Sequence, residues 1–277
     1  AMAAAGTGDF LDDIAFAIED HYKPRFAGDE LPRNQIGVCV ALADKLETLV
    51  GLFGIGQIPT GDKDPFALRR HALGVIRMLI EKELPLNLAD LVSSAFDGFP
   101  KSLLGAAHTD VLIFMFERLG GMMREQGYST NEVEAVLSNN PLQIYLVPKQ
   151  LEAVRVFAAL PEASSLAAAN KRVGNILKKA EEAVEAKVDG KQLKEPAEIA
   201  LNEALSSVKP EADKLFENGD YTASLQALAV LKAPVDDFFD NVMVNSDDPA
   251  LRANRLALLS QLHATMNRVA DLSKLAG

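Results

Sequence analysis

The 277-residue sequence contains a single cysteine and lacks long apolar runs. With Cys39 alone, a disulfide within the chain is excluded, and this cysteine usage is typical of a reduced, cytoplasmic setting. No run of about 18 or more uninterrupted apolar residues is present, so we expect no membrane-spanning helix. The first residues, AMAAAGTG, lack a basic segment followed by an apolar one. We expect an expression scar and a cut edge there rather than a secretion signal.

The motifs of common enzyme sites are also missing. The four histidines, His21, His71, His108 and His263, have no H-x-x-x-H or H-E-x-x-H spacing, which argues against a zinc-protease site. The sequence has no G-x-S-x-G turn, no P-loop lysine and no G-x-G-x-x-G. Cys39 lies in the apolar run IGVCVALA, which favours a place in the core over a role as nucleophile. We therefore predict no catalytic residue, no metal site and no cofactor in this chain.

What is present is apolar and helical in pattern. Hydrophobic residues make up 48 % of the chain, enough for one or two cores, and the net charge is −11. That charge argues against unspecific nucleic-acid binding but permits a local basic face. Apolar residues recur with the helical period and no segment alternates with period two, so we predict an all-α fold. The predicted helices span about 9–22, 33–53, 65–83, 87–97, 108–126, 129–138, 148–159, 163–186, 196–207, 210–217, 221–231, 235–243 and 249–274.

Capping signals support several of these helix ends. The dipeptides Asp64-Pro65 and Asp248-Pro249 each place a carboxylate before a proline at the first helical position. The segment STNEVEAVL, 129–137, begins like a capping box. Glycines stand where helices should stop, at Gly98, Gly127 and Gly219.

A glycine- and proline-rich joint, GIGQIPTGDKDP at 54–65, precedes a helix predicted to begin at Pro65. The apolar face of that helix carries Phe66, Leu73, Ile76 and Ile80. Arg69 falls in the middle of this face and Arg70 on the neighbouring stripe. An arginine on an apolar face is costly unless it is paired. Arg69 therefore either snorkels to solvent, meets a carboxylate such as Asp44 or Glu47, or binds a phosphate or a partner carboxylate at the helix start.

A second candidate is the segment AAANKRVGNILKKAEE, 167–182, where no acidic residue occurs between Lys171 and Lys179. Its predicted core stripe consists of Leu166, Ala169, Val173, Leu177 and Ala180. Lys171, Asn175 and Lys178 point the other way, flanked by Arg172 and Lys179. Lysine and arginine beside asparagine suit phosphate and base-edge contacts, although a merely solvated face has the same pattern.

The third candidate is DDPALRANRLALLSQL, 247–262. Its predicted buried stripe consists of Leu251, Leu258, Leu262 and Val269. Arg255 falls on that stripe, whereas Arg252 lies on the adjacent one. Arg255 is therefore either a nucleic-acid contact or part of a capping or interdomain ion pair.

Four blocks of the sequence resemble the bacterial glycyl-tRNA synthetase β-subunit family, of the type built from two α and two β subunits. They are EDHYKPRFAGDELP (19–32), VALADKLETLVGLFGIGQIPTGDKDPFALRRHALGVIRML (40–79), LAAANKRVGNIL (166–177) and DDPALRANRLALLSQL (247–262). The resemblance covers about residue 9 to the C-terminus and implies a C-terminal fragment of that subunit.

The resemblance implies three segments. Residues 1–63 would be the end of an HD-type helical domain, 64–150 a helical body, and 151–277 a helical-bundle anticodon-binding domain named after a D-A-L-R motif. Here that motif has an interposed proline and spans 248–252. HD phosphohydrolases bind a metal through several histidine and aspartate ligands. Only the last of these, an aspartate, has a counterpart here, at Asp44, so an HD-like metallohydrolase is a remote alternative.

The resemblance also implies a division of labour. Aminoacylation with ATP and Mg²⁺ would take place on the α subunit, and this chain would position the anticodon arm of tRNA-Gly. Its partners would be tRNA-Gly, the α subunit and the rest of the β subunit. A purely structural role in assembly is the alternative. The predicted tRNA-binding residues are Lys171, Arg172, Asn175, Lys178, Lys179, Arg252, Arg255, Arg69 and Arg70.

Overall fold

The computed structural model describes residues 7–180 and 187–276, and over these residues it confirms the all-α prediction. The α-helices are α1 (Thr7–Asp20), α2 (Gln35–Gly54), α3 (Leu68–Glu81), α4 (Leu88–Asp97), α5 (His108–Glu125), α6 (Thr130–Leu137), α7 (Val147–Ala158), α8 (Ala163–Lys179), α9 (Pro196–Glu217), α10 (Tyr221–Ala227), α11 (Lys232–Asn241) and α12 (Pro249–Met266). Short 3₁₀ turns lie at Ile144–Leu146, Gly190–Gln192, Leu228–Leu231 and Leu272–Leu275. None of the described helices has the length and apolar character needed to cross a membrane.

These residues form two compact units. The N-terminal unit comprises the described residues up to Gln126 together with Pro141–Val147, and the C-terminal unit comprises Gly127–Asn140 and the residues from Pro148 onward. The predicted boundary at 63/64 falls inside the N-terminal unit, where α2 and α3 pack against each other. Compactness and the division into family domains are different properties, so the predicted three-part division stays a prediction.

In the N-terminal unit α2 is the central helix and packs against α1, α3, α4 and α5. Its buried side chains include Leu49, Val50 and Phe53, which meet a core that α3 and α5 extend. Cys39 lies on the outer side of α2 and is exposed, so the prediction of a core position for this cysteine was wrong. An apolar run spread all round a helix does not identify which side faces the core.

The start of α3 differs from the prediction. The helix begins at Leu68, and Ala67 before it has a left-handed backbone with φ 55°. Asp64 still acts as the cap, because its carboxylate accepts the N–H groups of Leu68 at 2.8 Å and Arg69 at 3.0 Å. Phe66 lies outside the helix and is 46 % exposed. The apolar face drawn through Phe66 was therefore wrong, and the buried face runs through Leu68, Ala72, Val75, Ile76 and Leu79.

In the C-terminal unit α8 packs against α11, α12 and the 3₁₀ turn Leu272–Leu275, while α9 packs against α10, α11 and α12. The capping box at Ser129 and the Asp248-Pro249 start of α12 are both confirmed. Gly127 and Gly219 follow their helices with φ +93° and +76°, as expected for glycines that end helices.

Three predicted helix limits need correction. Helix α9 continues through Pro210, because its buried face, which includes Leu205, Val208 and Ala212, runs unbroken past the proline. Helix α12 ends at Met266 instead of 274, where Asn267 closes the helix. Helix α8 ends at Lys179, and positions 181–186 of the longer predicted helix lie outside the described residues.

Candidate nucleic-acid interface

The outer side of α8 carries the predicted basic face. All five of its predicted side chains are exposed: Lys171, Arg172, Asn175, Lys178 and Lys179. The opposite side is buried through Leu166, Ala169 and Val173, as the sequence predicted. Helical spacing therefore brings four cations and one amide to a single surface, which we call the α8 face.

The α8 face carries four cationic side chains. Among residues 7–180 and 187–276, no carboxylate pairs with any of its four cations. The nearby α11 carboxylate of Asp236 is already engaged, since it accepts from Lys232 at 2.7 Å and from the hydroxyl of Ser165 at 2.8 Å. A basic cluster without a paired carboxylate in the described part of the chain is a local site for anions, even where the net charge of the chain is negative.

The α8 face also includes a surface depression and a contact with an aromatic ring. An open depression lies along it, lined by Ala168, Lys171, Arg172, Asn175, Ile176 and Lys179. The guanidinium carbon of Arg172 lies 4.1 Å from the ring centre of Phe239 on α11. This stack holds one cation of the face in place.

A buried amide pair fixes α8 beneath this face. Asn170 is 0 % exposed, and its amide donates to Asn267 at 2.7 Å and accepts from it at 3.0 Å. Asn267 also accepts the N–H of Leu272 at 3.0 Å. The sequence reasoning missed this pair, although an asparagine on the apolar side of an alanine-rich helix is a signal that a polar partner is needed.

Arg255 has a structural role. It is 6 % exposed, and its Nε donates to Glu198, which is 0 % exposed. A second guanidinium nitrogen donates to the carbonyl of Met243 at 2.7 Å. Of the two roles that the sequence left open, the geometry favours the ion pair, within one unit. The predicted tRNA contact of Arg255 is not supported, because the side chain is buried and two of its guanidinium nitrogens already have partners. Arg252, in contrast, is exposed.

Arg69 and Arg70 lie in the N-terminal unit. The guanidinium of Arg69 donates to the carbonyl of Gly61 and so ties the glycine-proline joint to the first turn of α3. Neither Asp44 nor Glu47, the carboxylates considered as its partners, pairs with it among the described residues. Arg70 is exposed. The joint is therefore held by Asp64 and Arg69 together.

Comparison with known proteins gives two family matches. A model described as glycyl-tRNA synthetase beta subunit matches residues 5–138, and a model described as DALR anticodon binding domain matches residues 166–274. Proteins called glycine–tRNA ligase beta subunit match nearly the whole chain. The relative from Thiobacillus denitrificans is 76 % identical over 265 residues, 96 % of this chain and 38 % of the relative. The chain belongs to the glycyl-tRNA synthetase beta-subunit family.

Two further relatives of this family match the chain over a similar length. Those from Leptothrix cholodnii and Janthinobacterium sp. are 64 % and 65 % identical, over 96 % and 95 % of this chain and 37 % of each relative. The chain thus spans a little more than a third of the length of these beta subunits.

The family matches divide the candidate residues between them. The anticodon-binding match takes in nearly all of α8 and the whole of α12, and therefore the α8 face and Arg252. The beta-subunit match takes in α1 to α6 and therefore Arg69 and Arg70. Within the described residues no group of three or more histidine, cysteine, aspartate or glutamate side chains is arranged to hold a metal ion, and Asp44 is only partly buried.

Proposed function

We propose that this chain supplies tRNA binding to a glycine–tRNA ligase, with the α8 face contacting the anticodon arm of tRNA-Gly. One observation carries the proposal: an exposed basic face, without a paired carboxylate among the described residues, lies within the DALR anticodon-binding match of a chain whose net charge is −11. A face of this kind is not needed for packing, because the opposite side of α8 supplies the core contacts.

The side chains of the α8 face suit RNA. Lysine and arginine bind phosphates, and an asparagine amide offers both a donor and an acceptor to a base edge. Each neutralised phosphate contributes about 0.7 to 0.9 to the slope of log affinity against log salt. Arg252, on the same unit, is a further candidate for a phosphate contact.

The catalytic chemistry belongs to the rest of the enzyme in this proposal. The α subunit would carry out aminoacylation with ATP and Mg²⁺, in the cytoplasm, and this chain would position the tRNA without acting on it. Its protein partners would be the α subunit and the remainder of the β subunit.

A second role, in assembly, has its own supporting observation. The N-terminal unit exposes large apolar side chains along α1 and the loop that follows it, among them Leu11, Ile18, Tyr22 and Phe26. Exposed apolar groups of this density favour a covered protein surface. Assembly through the N-terminal unit and tRNA binding through the C-terminal unit are compatible.

The test reverses two charges on the α8 face. Lys171→Glu combined with Lys178→Glu should weaken binding of a tRNA-Gly transcript and lower the salt slope by roughly one unit per lost phosphate contact between about 50 and 200 mM salt. The matched control is Lys149→Glu with Lys191→Glu, which changes the same charge at two exposed lysines away from α8.

Both variants should melt like the unaltered chain, since all four lysines are exposed. Equal affinity of the two double variants at every salt concentration would remove the α8 face from the tRNA interface. Failure of the unaltered chain to bind the transcript at low salt would overturn the proposed function itself.

A further inference from the structure

Six arginines in the described residues lie over aromatic rings, and Arg172 differs from the other five. Those five each pair with at least one carboxylate as well: Arg25, Arg33, Arg118, Arg155 and Arg268. Arg172 has the ring of Phe239 but no carboxylate partner among residues 7–180 and 187–276. Within the described residues Arg172 is therefore oriented by a ring and is not paired with a carboxylate.

The ring beneath Arg172 contacts a buried aromatic ring. Phe239 is partly exposed, and its neighbour Phe238 is fully buried in the core of the C-terminal unit. The two rings meet edge to face, with centroids 5.5 Å apart and an interplanar angle of 81°. Phe239 thus presents an aromatic surface beside the α8 face.

We propose that Phe239 is a positioning residue for RNA binding, which holds the guanidinium of Arg172 so that an unpaired base stacks on its outer side. Arginine planes stack unpaired bases, and the nitrogen donors at the edge of the plane remain free for a phosphate. The proposal rests on the proposed function, because it assumes that the α8 face binds tRNA.

The depression next to Arg172 combines apolar and polar walls. Ala168 and Ile176 give it apolar walls, while Lys171, Asn175 and Lys179 give it polar ones. The apolar walls suit the face of a base and the lysines suit its flanking phosphates. A base pair inside a duplex cannot offer its face, so the ligand is a nucleotide in a single-stranded loop of the RNA.

The experiment uses the full chain and two RNA probes with equal numbers of phosphates. One is a stem-loop with the anticodon stem and loop of tRNA-Gly, and the other is a blunt duplex. Phe239→Leu removes the ring and should weaken stem-loop binding about 2- to 5-fold, the range expected for an exposed cation–π contact. It should leave duplex binding unchanged, and Phe239→Tyr, which keeps the ring, should bind the stem-loop normally.

Phe216→Leu is the matched control. Phe216 lies under Arg268 at 4.4 Å in the same unit, but Asp213 and Glu217 neutralise that arginine. Losing this ring should not change RNA binding. Equal losses of stem-loop affinity in Phe216→Leu and Phe239→Leu would show a merely structural effect and overturn the proposal.

A second variant covers the case in which Phe239→Leu folds poorly. Arg172→Lys keeps the charge and removes the plane, so it should weaken stem-loop binding while leaving duplex binding and the melting temperature unchanged. If Arg172→Lys binds the stem-loop like the unaltered chain while the Lys171→Glu, Lys178→Glu variant binds weakly, the stacking proposal fails and the proposed function stands. If the charge-reversal variant also binds normally, both fail.

Discussion

Removing the guanidinium of Arg255 should destabilise the C-terminal unit more than any substitution on the α8 face. Arg255→Ala leaves the carboxylate of Glu198 buried with only two hydrogen bonds, from the backbone N–H groups of Lys194 at 2.7 Å and Glu195 at 2.9 Å. It also leaves the carbonyl of Met243 without its donor. The remaining negative charge then has no cationic partner among the described residues.

Breaking a buried ion pair by removing one partner costs about 3 to 5 kcal/mol. For a unit of this size that corresponds to a fall in melting temperature of about 6 to 20 °C. The matched control is Arg252→Ala, three residues earlier on the same helix, where an exposed side chain is lost and the change should stay within about 0.5 kcal/mol.

The pH dependence of stability, with and without Arg255, tests the role of the charge on Glu198. Burial raises the pKa of Glu198, but the backbone N–H of Glu195 and the guanidinium of Arg255 outweigh burial, so its pKa lies below the ordinary value. In the unaltered chain its stabilising contribution is present above the unfolded pKa and is lost as the pH falls through the folded pKa. Without Arg255, burial dominates and the charged form is the destabilising one.

The double variant Arg255→Ala, Glu198→Gln should therefore be more stable than Arg255→Ala alone. The stability difference between Arg255→Ala and the unaltered chain should also narrow as the pH falls from 7 to 4. Thermal melts and hydrogen exchange of α9 and α12 measure both effects. If Arg255→Ala melts within 1 °C of Arg252→Ala, the guanidinium is solvated and the reasoning from burial is refuted.

Two further predictions concern the N-terminal unit. Gly54→Ala should lower the free energy of unfolding by about 1 to 3 kcal/mol, because its Cβ would lie 2.8 Å from the Cβ of Leu104. Gly121→Ala, within α5, meets open space and should raise the free energy of unfolding by about 1 kcal/mol. Denaturant unfolding of the two variants tests this, and equal effects would contradict it. The hydrogen bond from Arg33 lowers the pKa of Asp20, so the stabilisation from Asp20 is present above about pH 4 and lost below it. Asp20→Asn should lower the melting temperature at pH 7 and flatten its fall between pH 4 and 2, and acid profiles identical to the unaltered chain would count against this.

The helices and most of their caps could be predicted because they depend on neighbours in the sequence. The Asp248-Pro249 start and the capping box at Ser129 involve residues within one helical turn, and both are present. The start of α3 was placed three residues too early, since the capping by Asp64 is made from further upstream than a standard cap. With Phe66 counted as part of the helix, the predicted apolar face was centred on Arg69, although the buried face of α3 does not include that residue.

Arg69 and Arg255 show the limit of periodicity as a guide to burial. Both were placed on an apolar stripe by the same argument, yet one ties a surface joint to its helix and the other is buried against Glu198. The difference lies in the partner. Glu198 is 57 residues away from Arg255 along the chain, and no local pattern indicates which acid will approach which stripe.

The same limit explains why the sequence found the cations of the α8 face but not what distinguishes them. Helical spacing alone brings Lys171, Arg172 and Lys178 to one surface, and all three are exposed. The ring that orients Arg172 comes from another helix, 67 positions later, and only packing brings it within 4.1 Å. A charged face can be predicted from the sequence of one helix, but the orientation of Arg172 depends on the packing of two helices. If RNA binding depends on Phe239, the specificity of this surface arises from that tertiary contact, and total charge alone will not reproduce it.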